Sequence, residues 1–136
     1  MDEQAKRRVV SLASFEKLQR ALAKLPGVTS SDSMFKDGYG FWVNGKEIAH
    51  FESERLVDIR LTSAEIRARK DRLNPAVVKR RTPSSDWVVV DFSTREGYRL
   101  AIDLAGRAAV IHAAPAGHAA AEPPTGSRLA SLRRFH

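Results

Sequence analysis

Cysteine is absent from the 136-residue sequence, which excludes disulfides, thiolate metal ligands and a cysteine nucleophile. No apolar run approaches the roughly 20 residues of a membrane-spanning helix. Residues 1–10 are charged and lack the apolar stretch of a signal peptide. The sequence also lacks the Gly-x-Ser-x-Gly motif of a serine hydrolase. We therefore expect a cytoplasmic protein with no membrane partner and no cofactor.

Positive charge is what the sequence has in excess, with a formal net charge of +7. The excess is concentrated between residues 60 and 82, where eight basic residues stand against two acidic ones. Such a patch attracts polyanions, although it is equally typical of a solvated helix face. The candidates for polyanion binding are Arg67, Arg69, Lys70, Arg72, Lys79, Arg80 and Arg81.

The composition divides the chain into three parts. Residues 1–10 are predicted to be a flexible N-terminal arm, because chain ends are usually loosely held. Residues 11–112 are predicted to form a single domain, for which the apolar content of 43% is sufficient. Residues 113–136 form a low-complexity Ala/Pro/Gly linker with a short basic tail. The tail could dock on the domain, contact a polyanion or do nothing, and we favour the last.

Residues 39–61 organise the rest of the chain. Asn44-Gly45 lies between alternating apolar residues, which predicts a type I′ hairpin turn. A two-residue turn places Phe41 opposite Ile48, and a three-residue link at 53–55 then places His50 opposite Asp58. Alternation predicts a core face with Trp42, Ala49, Phe51, Val57, Ile59 and Leu61, and a mixed face with Tyr39, Phe41, Val43, Ile48, His50, Glu52, Asp58 and Arg60.

The other elements follow from apolar periodicity. Helices are predicted over about 11–24, 63–72 and 94–109. Edge strands are predicted near 28–35 and 77–82, and the β-branched run at 86–92 predicts a central strand with both faces covered. This order is typical of an α+β fold, an antiparallel sheet of about four to six strands with about three helices mainly on one side.

The predicted opposition of His50 and Asp58 is the main candidate site. A carboxylate at this distance, about 5 Å between Cβ atoms, would hold the imidazole in one tautomer and raise its pKa. A His–Asp pair of this kind suits a general acid or base in catalysis. It suits equally an ion pair that only sets the strand register, and we favour this second interpretation. The catalytic candidates are His50, Asp58 and Ser85. No metal is expected, because only His50 and Glu52 share a strand face and the other histidines lie in or beside the tail.

Four short segments resemble a small bacterial family known as the luciferase domain. They are Ile-Ala-His-Phe at 48–51, Asp-Ile-Arg-Leu at 58–61, Ile-Arg at 66–67 and Pro-Ser-Ser-Asp-Trp-Val at 83–88, and the resemblance covers about residues 14–111. Family positions that recur are matched by His50, Asp58, Arg67, Ser85 and Trp87. The resemblance implies no particular reaction. More distantly, the element order is similar to that of MmcQ/YjbR-like and TfoX-like domains, some of which are suspected of nucleic-acid binding.

The sequence departs from the luciferase-domain pattern at two places. Glu52 stands where members often have a second histidine, and Lys79-Arg80 stands where a histidine pair is common. The resemblance therefore does not carry over any ligand that those histidines bind in relatives.

Two functions remain open. The favoured one is a non-enzymatic binding module for a nucleic acid or an anionic, phosphate-bearing ligand. The alternative is a small-molecule or catalytic site around His50, Asp58, Arg60, Arg67 and Trp87, which predicts a cavity with His50 partly buried near Trp87. The ligand-binding candidates are Tyr39, His50, Glu52, Asp58, Arg60, Arg67 and Trp87.

Overall fold

Six antiparallel strands form one sheet in the computed structural model, which describes the backbone of residues 2–134 and the side chains of residues 2–3 and 13–134. The strands are β1 (Thr29–Asp32), β2 (Tyr39–Val43), β3 (Lys46–Phe51), β4 (Leu56–Arg60), β5 (Val78–Arg80) and β6 (Trp87–Asp91). Their order in the sheet is β1-β2-β3-β4-β6-β5. The helices are α1 (Glu3–Ala23), α2 (Ser63–Ala68), α3 (Arg95–Ile111) and α4 (Gly126–Arg134). The predicted α+β fold class is confirmed.

The hairpin turn between β2 and β3 has the predicted conformation. Asn44 and Gly45 both have positive φ, at 49° and 74°, as a type I′ turn requires. The link to β4 has the predicted length, because the Glu52 N–H donates to the Leu56 carbonyl at 2.9 Å. His50 therefore lies opposite Asp58, as predicted.

The pairing of β2 with β3 differs from the prediction. Trp42 pairs with Glu47, but the next pair joins Phe41 to Ala49, so β3 carries one extra residue, Ile48. Such a β-bulge lets two successive residues point to the same side of a sheet. The prediction that Phe41 opposes Ile48 is wrong for this reason.

The bulge changes which side chains belong to the core. Phe41, Val43 and Ile48 were predicted on the mixed face, and the structure buries all three in the core. Trp42 was predicted in the core, and it lies instead on the opposite face, paired with Glu47. An unbroken alternation, which the prediction assumed, cannot describe a strand with an inserted residue.

One face of the sheet packs against helices. Core residues come from α1, α2 and α3 as well as from the strands, and a fully buried Leu or Ile contributes about 1.5–3 kcal/mol. The helical members are Leu18, Leu22, Ile66, Ala101, Leu104, Ala105, Ala108 and Ala109. On β6, Val88 and Val90 enter this core, while Val89 is only half-buried on the other side. The prediction that β6 is covered on both faces is wrong, because these helices cover only one.

The helix ends depend on local polar contacts. Thr62 caps α2 by accepting the Glu65 N–H at 3.1 Å, and Thr94 caps α3 by accepting the Gly97 N–H at 3.0 Å. The predicted 63–72 helix is α-helical only to Ala68, and a short 3-10 turn follows at Lys70–Arg72. Among residues 2–134, no helix is both long and apolar enough to span a bilayer.

Both ends of the chain are more regular than the sequence predicts. Helix α1 begins at Glu3, so most of the segment predicted as an N-terminal arm is helical. The tail ends in α4, where Leu129 is only 4% exposed. The tail also bonds to the domain, through the Ala121 N–H on Asn44 Oδ1 at 2.8 Å and Arg133 Nε on the Ser33 carbonyl at 3.1 Å. A tail without contacts was expected, whereas the structure docks it.

Candidate ligand site on the polar face of the sheet

The face of the sheet away from the core holds a buried ionisable cluster centred on His50. The His50 side chain is 5% exposed, and that of Asp58 is fully buried. His50 Nε2 lies 2.9 Å from Asp58 Oδ2, and Nδ1 lies 2.8 Å from Glu47 Oε2. Both ring nitrogens therefore face carboxylate oxygens, which only accept hydrogen bonds when ionised. The ring is best satisfied as an imidazolium that donates in both directions.

Glu47 is held as firmly as the histidine it contacts. Its Oε2 accepts the Ser33 hydroxyl and its Oε1 accepts the Met34 N–H, both at 2.6 Å. The carboxylate lies directly against Gly40, where an added Cβ would be only 2.6 Å from Glu47 Oε2. Glycine is therefore required at position 40 to leave room for this side chain.

Sequence reasoning missed Glu47. Residues three apart on a regular strand point to opposite faces, so Glu47 and His50 were not expected to meet. The bulge at Ile48 brings both to the polar face. The available signal was the adjacent apolar pair Ile48-Ala49, which interrupts the alternation of β3.

The surroundings shift the ionisation of three cluster members. Burial disfavours charge on the His50 ring, but its bonds to Asp58 and Glu47 outweigh burial and raise the pKa of His50 to about 9. Burial raises the pKa of Asp58. A hydrogen bond shared with Asp58, together with the Arg81 guanidinium, lowers the pKa of Glu52 to about 2. At neutral pH His50 is thus a cation rather than a free base.

Arg81 belongs to this cluster rather than to an open basic surface. Its guanidinium contacts Asp58 Oδ2 and lies 3.2 Å from Glu52 Oε1. Glu52 Oε1 is also 3.3 Å from His50 Nε2, and Glu52 Oε2 is 4.0 Å from Lys36 Nζ. Half of the Arg81 side chain is exposed (51%), so the arginine covers the cluster from the solvent side.

A cavity of about 370 Å³ opens over the cluster. Its lining residues are Phe35, His50, Glu52, Asp58, Arg81, Thr82, Ser85 and Trp87. The Trp87 ring lies 5.0 Å from the His50 ring, and Phe35 meets Trp87 edge-on at 5.2 Å. Asp58 Oδ1 is buried and has no hydrogen-bond partner among residues 2–134. A buried polar atom left unsatisfied costs about 1–3 kcal/mol, so this oxygen needs a donor or a cation.

The cavity unites most of the predicted site residues. His50, Glu52, Asp58, Ser85 and Trp87 all line it. Ser85 Oγ accepts the Trp87 N–H at 3.0 Å, and within the described part of the chain it makes no bond to His50. A Ser–His pair for nucleophilic catalysis is therefore not formed there.

Three predicted ligand residues lie elsewhere. Tyr39 is 70% exposed and lines a separate depression. Arg67 donates to Ser63 Oγ at 3.2 Å. Arg60 lies over the Trp87 ring at 5.8 Å but does not line the cavity. Apart from Glu47, sequence reasoning also missed Phe35 and Thr82, which come from loops distant in sequence from His50.

Only some of the basic residues predicted to bind a polyanion are free of contacts with other residues of the fold. Arg69 Nε donates to Glu65 at 2.6 Å, and Arg80 Nε donates to the Ser85 carbonyl at 2.7 Å. Together with Arg81 and with Arg67, which donates to Ser63 Oγ, four of the predicted seven are thus engaged within the fold. Lys70, Arg72 and Lys79 are exposed and make no ion pair with the carboxylates of residues 2–134.

Comparison with known proteins finds no matching family model, no matching curated protein and no matching solved structure. The resemblance to the luciferase-domain family, and the more distant one to MmcQ/YjbR-like and TfoX-like domains, stays a prediction. The function of the site is therefore inferred from its residues and their geometry alone.

Proposed function

We propose that this chain is a non-enzymatic binding protein for a small ligand that enters the cavity over His50 and presents a cationic or hydrogen-bond-donating group to Asp58. The observation that carries this proposal is that Asp58 lines the cavity and that its buried Oδ1 has no hydrogen-bond partner among the described residues. A volume of about 370 Å³ is within the range of small-ligand sites, about 300–1,000 Å³.

The charges favour a cationic ligand group over an anionic one. The cations that could hold an anion are already engaged. Arg81 contacts the carboxylates of Glu52 and Asp58, and His50 lies between those of Asp58 and Glu47. The free atom, Asp58 Oδ1, can only accept. The aromatic walls of Phe35 and Trp87 also suit flat or positively charged groups.

The state of His50 favours binding over catalysis. A general base needs a free nitrogen with a pKa near the working pH. Both nitrogens of His50 face carboxylates, and its pKa is raised to about 9. His50 then serves to hold Asp58 and Glu47 in place.

Two aromatic probes that differ in charge test the proposal. Benzamidine and benzoate share a ring, but one carries a cationic amidinium and the other an anionic carboxylate. In NMR titrations of the ¹⁵N-labelled full chain, we expect benzamidine to shift the Trp87 indole N–H with a Kd of about 1 mM or tighter. Benzoate should shift it much less. Trp87→Ala should weaken benzamidine binding, which is followed in this variant by the backbone amide signals of His50 and Ser85. Equal responses to both probes, or no response to either, would refute the proposal.

A second candidate, polyanion binding, is favoured by the exposed, unpaired Lys70, Arg72 and Lys79. It predicts that a fluorescein-labelled single-stranded oligonucleotide binds with an affinity that falls steeply with salt. The combined variant Lys70→Ala, Arg72→Ala, Lys79→Ala should reduce both the affinity and the salt slope. A control with the same charge change, Arg20→Ala, Lys24→Ala, Lys46→Ala, should not. Equal losses in the two variants would mean attraction by net charge alone.

A further inference from the structure

Three residues of the cluster over β3 and β4 bring potential metal-ligand atoms together. His50, Glu52 and Asp58 each offer one such atom, and these atoms lie within 4.8 Å of one another. His50 Nε2 is 2.9 Å from Asp58 Oδ2 and 3.3 Å from Glu52 Oε1. Metal–ligand bonds of about 2.0–2.2 Å separate neighbouring ligand atoms by about 2.8–3.5 Å at octahedral to tetrahedral angles. Both measured distances lie in this range.

We propose that His50, Glu52 and Asp58 form a binding site for a divalent transition-metal ion, with Zn²⁺ as the expected ion. The inference rests on the proposed ligand site and names the cation that Asp58 accepts there. Imidazole nitrogen with carboxylate oxygens is a donor set that Zn²⁺ uses, and three protein ligands leave a fourth position open. The sequence-based expectation of no metal looked for the third ligand among the histidines, whereas the structure supplies Asp58.

The unpartnered oxygen of Asp58 is a second, independent observation. Asp58 is fully buried and lines the cavity, and its Oδ1 has no hydrogen-bond partner in the part of the chain that the structure describes. An ion on Oδ2 could be shared with Oδ1, or a water on the ion could donate to it. Either contact would satisfy an atom that the protein alone leaves unsatisfied.

The orientation of His50 is already that of a ligand. Histidines that bind metals commonly donate their other ring N–H to a carboxylate, which sets the tautomer and turns the free nitrogen to the ion. Glu47 takes this role at Nδ1, at 2.8 Å, and is itself held by Ser33 and Met34. His50 Nε2 is thereby directed at Asp58 and Glu52.

Arg81 competes with a metal ion for the same carboxylates. Its guanidinium contacts the two carboxylate oxygens that would bind the ion, and half of its side chain is exposed. Binding of the ion would displace Arg81 towards solvent and release the proton on Nε2, whose electron pair forms the metal bond. Two positive charges leave and two arrive, so the balance with the carboxylates is unchanged. The open coordination position would then face the cavity and Trp87.

Calorimetric titration with Zn²⁺ alone tests the site, using the full chain after EDTA treatment and dialysis. We expect one ion per chain with a Kd of about 1 µM or tighter. Glu52→Gln and Asp58→Asn should each weaken binding at least about tenfold, and Glu47→Gln about 10–100-fold. The control Glu54→Gln, an exposed neighbour outside the cavity, should leave the Kd unchanged. Glu52 is partly exposed, so its variant remains informative if Asp58→Asn does not fold.

Arg81→Ala separates this site from an adventitious one. Removal of the competing cation should tighten Zn²⁺ binding, and Co²⁺ in the same protein should give a visible d–d band that Glu52→Gln changes. Absence of binding, or binding unaffected by Glu52→Gln and by Arg81→Ala, would overturn the inference. Benzamidine titrated into the same metal-free sample distinguishes the two proposals. If benzamidine binds and Zn²⁺ does not, only the metal site is refuted; if neither binds, the ligand site is refuted as well.

Discussion

Asp58 and Ile59 are neighbours on β4, and solvent reaches neither side chain. Ile59 lies in the core, on the side of the sheet against which α3 packs. Asp58 points the other way, to His50 and Arg81. Burial of the isoleucine is favourable in itself, whereas burial of a carboxylate is costly unless cationic partners surround it. Adjacent residues of one strand are thus buried for opposite energetic reasons.

The two faces also differ in how completely they are satisfied. The core side chains need only apolar contact, which the helices provide. On the polar face, Asp58 Oδ1 and Trp42 Nε1 are the buried side-chain polar atoms without a hydrogen bond in residues 2–134. Buried polar atoms are nearly always hydrogen-bonded, so each of these two needs a specific explanation, such as a bound water or ion.

Asp58→Asn should lower the free energy of unfolding by about 3–5 kcal/mol, the usual cost of removing one partner from a buried ion pair. The change leaves the His50 imidazolium and Arg81 with too little negative charge. Urea unfolding at neutral pH, with EDTA present, measures the loss. A loss below about 1 kcal/mol would mean that the cluster behaves as a surface ion pair.

Ile59→Ala should lower the free energy of unfolding by about 2–5 kcal/mol, through lost transfer energy and a residual cavity. No charge is involved, so the loss should be the same on either side of the His50 titration. The cost of Asp58→Asn, by contrast, should shrink at alkaline pH, where His50 loses its proton. Parallel urea titrations of the two variants at two pH values check this difference. A pH-dependent Ile59→Ala loss would contradict it.

In the presence of EDTA, the free energy of unfolding should depend on pH through the titration of His50. Its pKa rises from 6.5 to about 9 on folding, so the folded state holds this proton more tightly than the unfolded state does. The resulting stabilisation, about 3 kcal/mol in all, is fully present below pH 6.5 and is lost as the pH rises through about 9. Thermal or urea unfolding across this window measures it. The stability of the His50→Gln variant should not fall in this way as the pH rises. If it falls as much as that of the wild type, another group causes the pH dependence.

Gly40→Ala should destabilise by about 1–3 kcal/mol, the usual cost of overpacking. The new methyl would overlap Glu47 Oε2 and push it away from His50. Gly106→Ala is the control, because the nearest outside atom to its added Cβ is 3.9 Å away and the residue lies within α3. It should stabilise by about 0.5–1 kcal/mol, since alanine is the better helix former. Thermal unfolding measures the stability of both variants. If Gly40→Ala does not destabilise the protein, the close contact between position 40 and Glu47 does not require glycine.

Local chemistry made much of the site predictable. Asn44-Gly45 specifies the turn through positive φ at two residues, and the short link at 53–55 then sets the next strand. Once both are known, the opposition of His50 and Asp58 follows, and the structure confirms it. The α+β class was equally accessible, because it depends on the periods of apolar residues rather than on any one contact.

Other parts of the site have only a weak local signal in the sequence, or none. The bulge at Ile48 shifts the register of β2 without any glycine or proline to announce it, so Glu47 was missed and Trp42 was assigned to the wrong face. Arg81 was assigned to a basic surface, and only the pairing of β5 with β6 brings it to Asp58. Ser33 reaches Glu47 from a serine-rich loop that gave no chemical signal. Contacts of this kind depend on tertiary packing, which a pattern along the chain does not contain.

Glu47 and His50 stand three residues apart, a spacing usually taken as the mark of neighbours on a helix surface. On a regular strand, residues three apart point to opposite faces of the sheet. One inserted residue between them brings both side chains to the same face, so a bulged strand can show the same spacing. A Glu-x-x-His pair in another chain can therefore be a strand motif when two apolar residues stand between the acid and the histidine. Sequence searches that assign such pairs to helices alone would overlook sites built in this way.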